Sequence, residues 1–235
     1  RIICEQPATS RFIARHLYNF FVADEAPVPA WSVTPPCDPE AIDLLAKTLT
    51  DSNYDIASAL RVLFNSDFFK NARFARLKSP AEVVVGTLRL VGGVDFPSPG
   101  IGDLSRQTAN MGQELLNPPT VEGWHTGTEW ISISSLSKRV NFAARLVSDV
   151  TRPGIKSIVG RLSAMGKLQP EQMVDACLDL MGPLEAASEN RRQLIDFANE
   201  HGEFDWGTKE SSEAATDTVI ELLRLIVALR EYQYA

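Results

Sequence analysis

The strongest constraint on how this chain folds is proline placed at the start of apolar patterns that recur every three and four residues. Pro7, Pro39, Pro80 and Pro170 each open such a pattern. Proline suits the first helical turn because its φ is preset and the N–H it lacks would have no partner there. Asp38 and Asp55 suit N-caps, since a carboxylate accepts from an otherwise orphaned backbone N–H. Ser79-Pro80-Ala81-Glu82 predicts a capping box, with serine and glutamate satisfying each other's backbone N–H. Gly92-Gly93 should end that helix. The prediction is an all-α protein, an irregular multi-helix bundle with long Pro/Gly-rich ordered loops.

Periodicity assigns faces to these helices. In the first, Phe12, Ile13, Leu17, Phe20 and Phe21 should point inward, with Ser10, Arg11, Arg15 and Asn19 opposite. Pro27, Pro29, Pro35 and Pro36 predict an extended surface connection. A helix is expected over about 103–116, stopped by Asn117-Pro118-Pro119. Residues 117–134 are the least regular, and Trp130-Ile131-Ser132-Ile133 alternates like a short strand. Ser134 or Ser135 should cap the next helix, followed by Leu136, Val140, Ala143, Val147 and Val150 at helical spacing. After the break at Arg152-Pro153-Gly154, helices are expected near 155–165, 170–181, 188–200 and 210–232. The last should bury Ala215, Val219, Leu222, Leu223 and Ile226. This divides the chain into a helical core, 1–150, and an acidic C-terminal helical subdomain, 151–235, packed either separately or with the first as one domain.

With 235 residues, 44% hydrophobic and 23% charged, the chain can fold on a hydrophobic core alone. Its net charge of −7, concentrated after residue 150, argues against nucleic acid as a partner. Lys70, Arg73, Arg76 and Lys78 form the one basic cluster, expected as a solvated loop or helix end. No apolar run reaches the roughly 18 residues of a membrane span. Cys4, Cys37 and Cys177 are odd in number and lack CxxC spacing, which describes neither a zinc ribbon nor a disulfide framework. Their redox state stays open.

Reactive signatures are absent. His16, His125 and His201 form no HExxH or paired spacing, so no metal is expected. There is no GxSxG elbow. Gly92-Gly93 and Gly100-Ile101-Gly102 lack the strand–glycine–helix context of a dinucleotide site, so no cofactor is expected. Asp24-Glu25 is expected in an exposed turn. The most unusual segment runs from Met111 to Trp124, with adjacent prolines and tryptophans in a long irregular loop. Trp124 and Trp130 should fold back onto the bundle, with Glu122 and Arg139 at the rim of the pocket they close. Together with His125 and Asn141, these are the candidate binding residues.

Several motifs occur in a fixed order: Gln6-Pro7-Ala8-Thr9-Ser10-Arg11-Phe12-Ile13-Ala14-Arg15-His16-Leu17, Lys78-Ser79-Pro80-Ala81-Glu82, Met111-Gly112-Gln113, and Asn117-Pro118-Pro119-Thr120-Val121-Glu122-Gly123-Trp124. With Trp130-Ile131 and Arg139 they resemble the bacterial domain of unknown function 1800 family over about residues 5–150, and more weakly at Glu231-Tyr232-Gln233. The resemblance implies the C-terminal portion of a longer, largely helical bacterial protein. It also implies export to the periplasm or beyond, and a missing N-terminal half as partner. Members are often encoded beside a sulfatase-like family, and no activity is established. His125 stands where proline is expected, so no role transfers to it.

Two functions follow. The first is a binding or scaffold module of an exported or cell-surface assembly, engaging a protein or cell-surface polymer. The alternative is a hydrolase whose site forms at the seam with the missing half, using Glu122, His125, Arg139 and Asn141.

Overall fold

The computed structural model describes residues 2–94, 100–121, 123–182 and 184–235. Among these the fold is all-α, with eleven α-helices, short 3-10 turns and three isolated β-bridges. None of these helices is long and apolar enough to cross a membrane. The chain divides into two compact units. One comprises residues 1–77, 125–129 and 234–235, the other 78–124 and 130–233.

The first unit contains α1 (Pro7–Phe21), a 3-10 helix (Val28–Ser32), α2 (Pro39–Asp51), α3 (Ile56–Asn65) and the short α4 (Asp67–Lys70). The expected caps are present: Asp38 accepts from the Ala41 N–H at 3.0 Å and Asp55 from the Ser58 N–H at 2.9 Å. The core joins Ala14, Tyr18 and Val22 of the first helix and its exit to Ala41, Ile42, Leu45, Ala46 and Leu49, with Ala59 and Leu63 behind.

This stripe is rotated from the expected one. Ser10, Ala14, Arg15 and Tyr18 are the buried residues of α1, whereas Phe12 and Phe20 are 51% and 63% exposed. Ile13, Leu17 and Phe21 do pack against the core. Small residues at 10 and 14 let α2 approach closely, and Arg15 is drawn inward by a buried carboxylate. The proline-rich connection is not wholly extended, because Val28–Ser32 forms its own helical turn.

The second unit holds α5 (Pro80–Val91), α6 (Ile101–Asn110), α7 (Ile133–Val147), α8 (Pro153–Ala164), α9 (Pro170–Leu180), α10 (Ser188–Asn199) and α11 (Lys209–Ala228). The capping box of α5 is complete: the Glu82 N–H donates to Ser79 Oγ at 3.3 Å, and the Ser79 N–H donates to Glu82 Oε2 at 2.6 Å. Gly92 follows with φ of 66°, a conformation that glycine adopts without penalty. In α11 all five residues expected inside are buried. Packing between α5 and α8 is unusually close. A Cβ on Gly154 would stand 1.9 Å from the carbonyl oxygen of Leu90, so only glycine fits there.

Three local expectations are corrected. Trp130–Ile133 is not a strand; a 3-10 turn covers Gly127–Trp130 and α7 begins at Ile133. The cap of α7 is Ser132, whose Oγ accepts from the Ser135 N–H at 3.1 Å while Ser135 Oγ accepts from the Ser132 N–H. Ser135 is the third residue of the helix rather than its cap. Helix α6 stops at Asn110, because Gly112 takes φ of 104° and turns the chain before Leu115.

Candidate functional site

The six candidate residues have different fates. Trp130 is 7% exposed, and its carbonyl accepts from Ser135 Oγ at 2.8 Å, tying it to the first turn of α7. Trp124 is half-buried with its indole N–H buried and unpartnered. Asn141 is exposed on α7. His125 is also exposed; it belongs to the first unit, where its Nδ1 lies 3.2 Å from Glu129 Oε1. Glu122 lies outside the described residues. Arg139, expected at a pocket rim, is 0% exposed.

Arg139 anchors a cationic cluster in the second unit. Its Nη2 donates to the Lys78 carbonyl at 2.8 Å, while its Nε and Nη1 are buried without a partner. Lys78 donates from Nζ to the Tyr232 carbonyl at 2.8 Å, with the ammonium 4.8 Å from the centre of the Tyr232 ring. The Tyr232 hydroxyl lies 3.1 Å from Thr87 Oγ1. The Lys78 N–H donates to the main-chain oxygen of Gln233 at 2.8 Å, while Gln233 Oε1 is buried and unpartnered. Gln113 reaches the same helix start, accepting from the Ala81 N–H at 2.8 Å. The motifs at 78–82, 111–113, 139 and 231–233 thus meet at the N-terminus of α5. Burial pushes the Lys78 ammonium below its ordinary value and the Arg139 guanidinium down to about 10.

The first unit holds a second buried arginine of opposite character. Arg15 Nε and Nη2 both donate to Glu25 Oε2, at 2.9 and 2.6 Å. Its Nη1 donates to the Thr34 carbonyl at 2.9 Å and its Nη2 to that of Pro35 at 3.1 Å. Glu25 Oε1 accepts from the Cys37 N–H, and the Glu25 N–H donates to Asn19 Oδ1, each at 2.9 Å. Asp24-Glu25 is therefore not an exposed turn: Glu25 is 7% exposed and fully engaged.

This network pins the proline-rich segment to α1 and shapes a groove of about 460 Å3. Phe12, Trp31, Val33, Pro35 and Pro36 line it. The Trp31 ring lies 4.6 Å from both the Arg15 guanidinium carbon and the centre of His16, and Phe12 packs edge-on at 5.6 Å. Desolvation lowers the His16 pKa, favouring its neutral form. This groove lies outside the residues that the sequence singles out. The available signal was Phe12 and His16 one turn apart on α1, with a lone tryptophan among the prolines.

Among the described residues no group of three or more His, Cys, Asp or Glu is placed to hold a metal. Cys4 and Cys37 are exposed free thiols, and Cys177 is a buried one. Lys78 and the basic residues before it are not uniformly solvated: Lys70 ends α4, whereas Arg76 has a buried Nε and stacks 5.6 Å from Phe20.

Fold and site together define an all-α protein of two helical units, each with a buried arginine at its polar centre. The chain belongs to the family described as Protein of unknown function (DUF1800), whose model matches residues 1–234. The match takes in the acidic C-terminal helices as well as the motif-bearing first 150 residues. No curated protein and no solved structure matches the chain.

Proposed function

We propose that this chain is a binding or scaffold module of an exported or cell-surface assembly, recognising a protein segment or cell-surface polymer. The observation that carries this reading is the aromatic groove of the first unit. Phe12 is 51% exposed and Val33 83% exposed on a rim held by a fully bonded arginine–glutamate pair. Exposed rings on a rigid support gain contact area with little loss of conformational freedom, which is what recognition surfaces need. Taken unit by unit, His125 is exposed in the first, and Asn141 and part of Trp124 are exposed in the second.

The hydrolase alternative is not favoured by a specific observation. Arg139 is fully enclosed, Asn141 is exposed, and Ser132 and Ser135 are committed to capping.

The test is affinity capture from native-host extract with the wild-type chain beside Phe12→Asp and Val33→Asp. Both positions are exposed, so the fold should survive. A partner retained by the wild type and lost by both variants supports the groove as the recognition face. Identical capture by all three overturns that assignment.

A further inference from the structure

The two buried arginines differ in a way that points to a missing component. Arg15 has every nitrogen committed, to Glu25 and to main-chain carbonyls. Arg139 is more deeply enclosed, yet only Nη2 has a partner, and that partner is a neutral carbonyl. A buried charge without a counter-charge is among the costliest arrangements in a protein. A second cation makes it worse, since the half-buried Lys78 ammonium and Arg139 repel each other, and Lys78 is held by the Tyr232 carbonyl and ring rather than by a carboxylate of its own. Among the described residues, the carboxylate that acts on both is Glu82, which is exposed and whose Oε2 is committed to the Ser79 N–H. The cluster therefore offers unmet donors and surplus positive charge at the N-terminus of α5.

We propose that Arg139, with Lys78 beside it, holds a small oxyanion, a carboxylate or phosphate group, on its Nε and Nη1. Such a ligand accepts hydrogen bonds from guanidinium nitrogens in the geometry these side chains favour, and balances the two cations that share the single carboxylate of Glu82. Because Arg139 has no solvent exposure, exchange of the ligand needs local opening of the unit. This inference is independent of the groove in the first unit.

The experiment is urea unfolding in acetate and in inorganic phosphate, titrated from about 1 to 100 mM with sodium chloride holding ionic strength constant. A ligand bound by the native state alone raises stability by a constant increment for each tenfold rise above its Kd. The wild-type midpoint should climb in this way with at least one of the two anions, and Arg139→Met should be flat. If Arg139→Met does not fold, Lys78→Met keeps the bond from Arg139 to the residue-78 carbonyl and should show a reduced climb. Comparing acetate with phosphate distinguishes the two ligand classes. Equal response of wild type and Lys78→Met, or no anion response in the wild type, overturns the proposal. So does a crystal structure in either salt that shows only water at Nε and Nη1, for example bridging to Gln233 Oε1.

Discussion

Arg15 and Glu25 meet in the interior of the first unit, the guanidinium gripping one carboxylate oxygen through two nitrogens while the other oxygen takes the Cys37 N–H. The pair joins α1 to the proline-rich segment that follows it. Removing one partner leaves the other buried and uncompensated, at a typical cost of about 3–5 kcal/mol. Glu25→Gln and Arg15→Met should each lower the free energy of unfolding measured in urea by that order. The double variant Arg15→Met/Glu25→Leu should be less destabilised than the sum of Arg15→Met and Glu25→Leu. Strict additivity would show that the two side chains act separately.

Gly154→Ala tests the packing of α8 on α5. The new Cβ would collide with the Leu90 carbonyl, and main chain cannot rotate away as a side-chain tip can. Overpacking of this kind costs about 1–3 kcal/mol or more. Gly160→Ala, in the same helix with nothing within 4 Å of its Cβ, serves as the control and should be neutral or stabilising. Thermal midpoints of the two variants give the comparison.

Ser79→Ala should cost on the order of 1 kcal/mol, because one helix N–H loses its acceptor. Glu82→Ala removes the reciprocal half of the same box, so the double variant should lose less than the two single losses added together. Chemical denaturation of the three variants reads this directly.

Cys177 is buried and its thiol is pushed up to about 12 by desolvation, while burial, followed by the charges of Asp38, Cys37 and Glu25, takes Tyr18 to about 12 as well. Both ionise earlier in the unfolded chain, so stability is complete below about pH 9 and is lost as pH rises toward 12. Lys78 and Arg139, with lowered values, act in the opposite sense. Cys177→Ala should reduce the alkaline loss, by up to about 1.4 kcal/mol per pH unit above 9. Urea midpoints at about pH 8 and pH 10 measure it, and equal losses in both proteins would contradict the assignment.

The features legible in the sequence were those decided within a few residues. Caps at Asp38, Asp55 and Ser79 depend on one side chain reaching a backbone N–H three positions on, and all three were readable. The inner face of α11 was readable because an unbroken three-and-four pattern leaves one way to bury it. What escaped depended on distant partners. Arg15 reads as a surface residue until Glu25 and the carbonyls of Thr34 and Pro35 are placed around it. Its burial then rotates α1 and leaves Phe12 and Phe20 outside. Ser132 does not read as a cap, because the alternation from Trp130 to Ile133 resembles a strand. Of the candidate residues, Trp130 packs inward as expected. The enclosure of Arg139 had no local signal, since it rests on residues some 60 positions away in the chain.

The pairing of Leu77 with Tyr234 closes the first unit with residues from the far end of the chain, and Lys78 meets Gln233 one step further in. The second unit thus lies in the chain between these two points, interrupted by residues 125–129, which belong to the first. On the ribosome, the first helices emerge long before residues 234–235 can join them, so the first unit is synthesised early and finished last. Bringing its ends together closes a loop of roughly 150 residues, an entropic cost that falls sharply once the inserted helices have folded and drawn positions 78 and 233 together. The bridge between Leu77 and Tyr234 is therefore cheapest to form once those inner helices are in place.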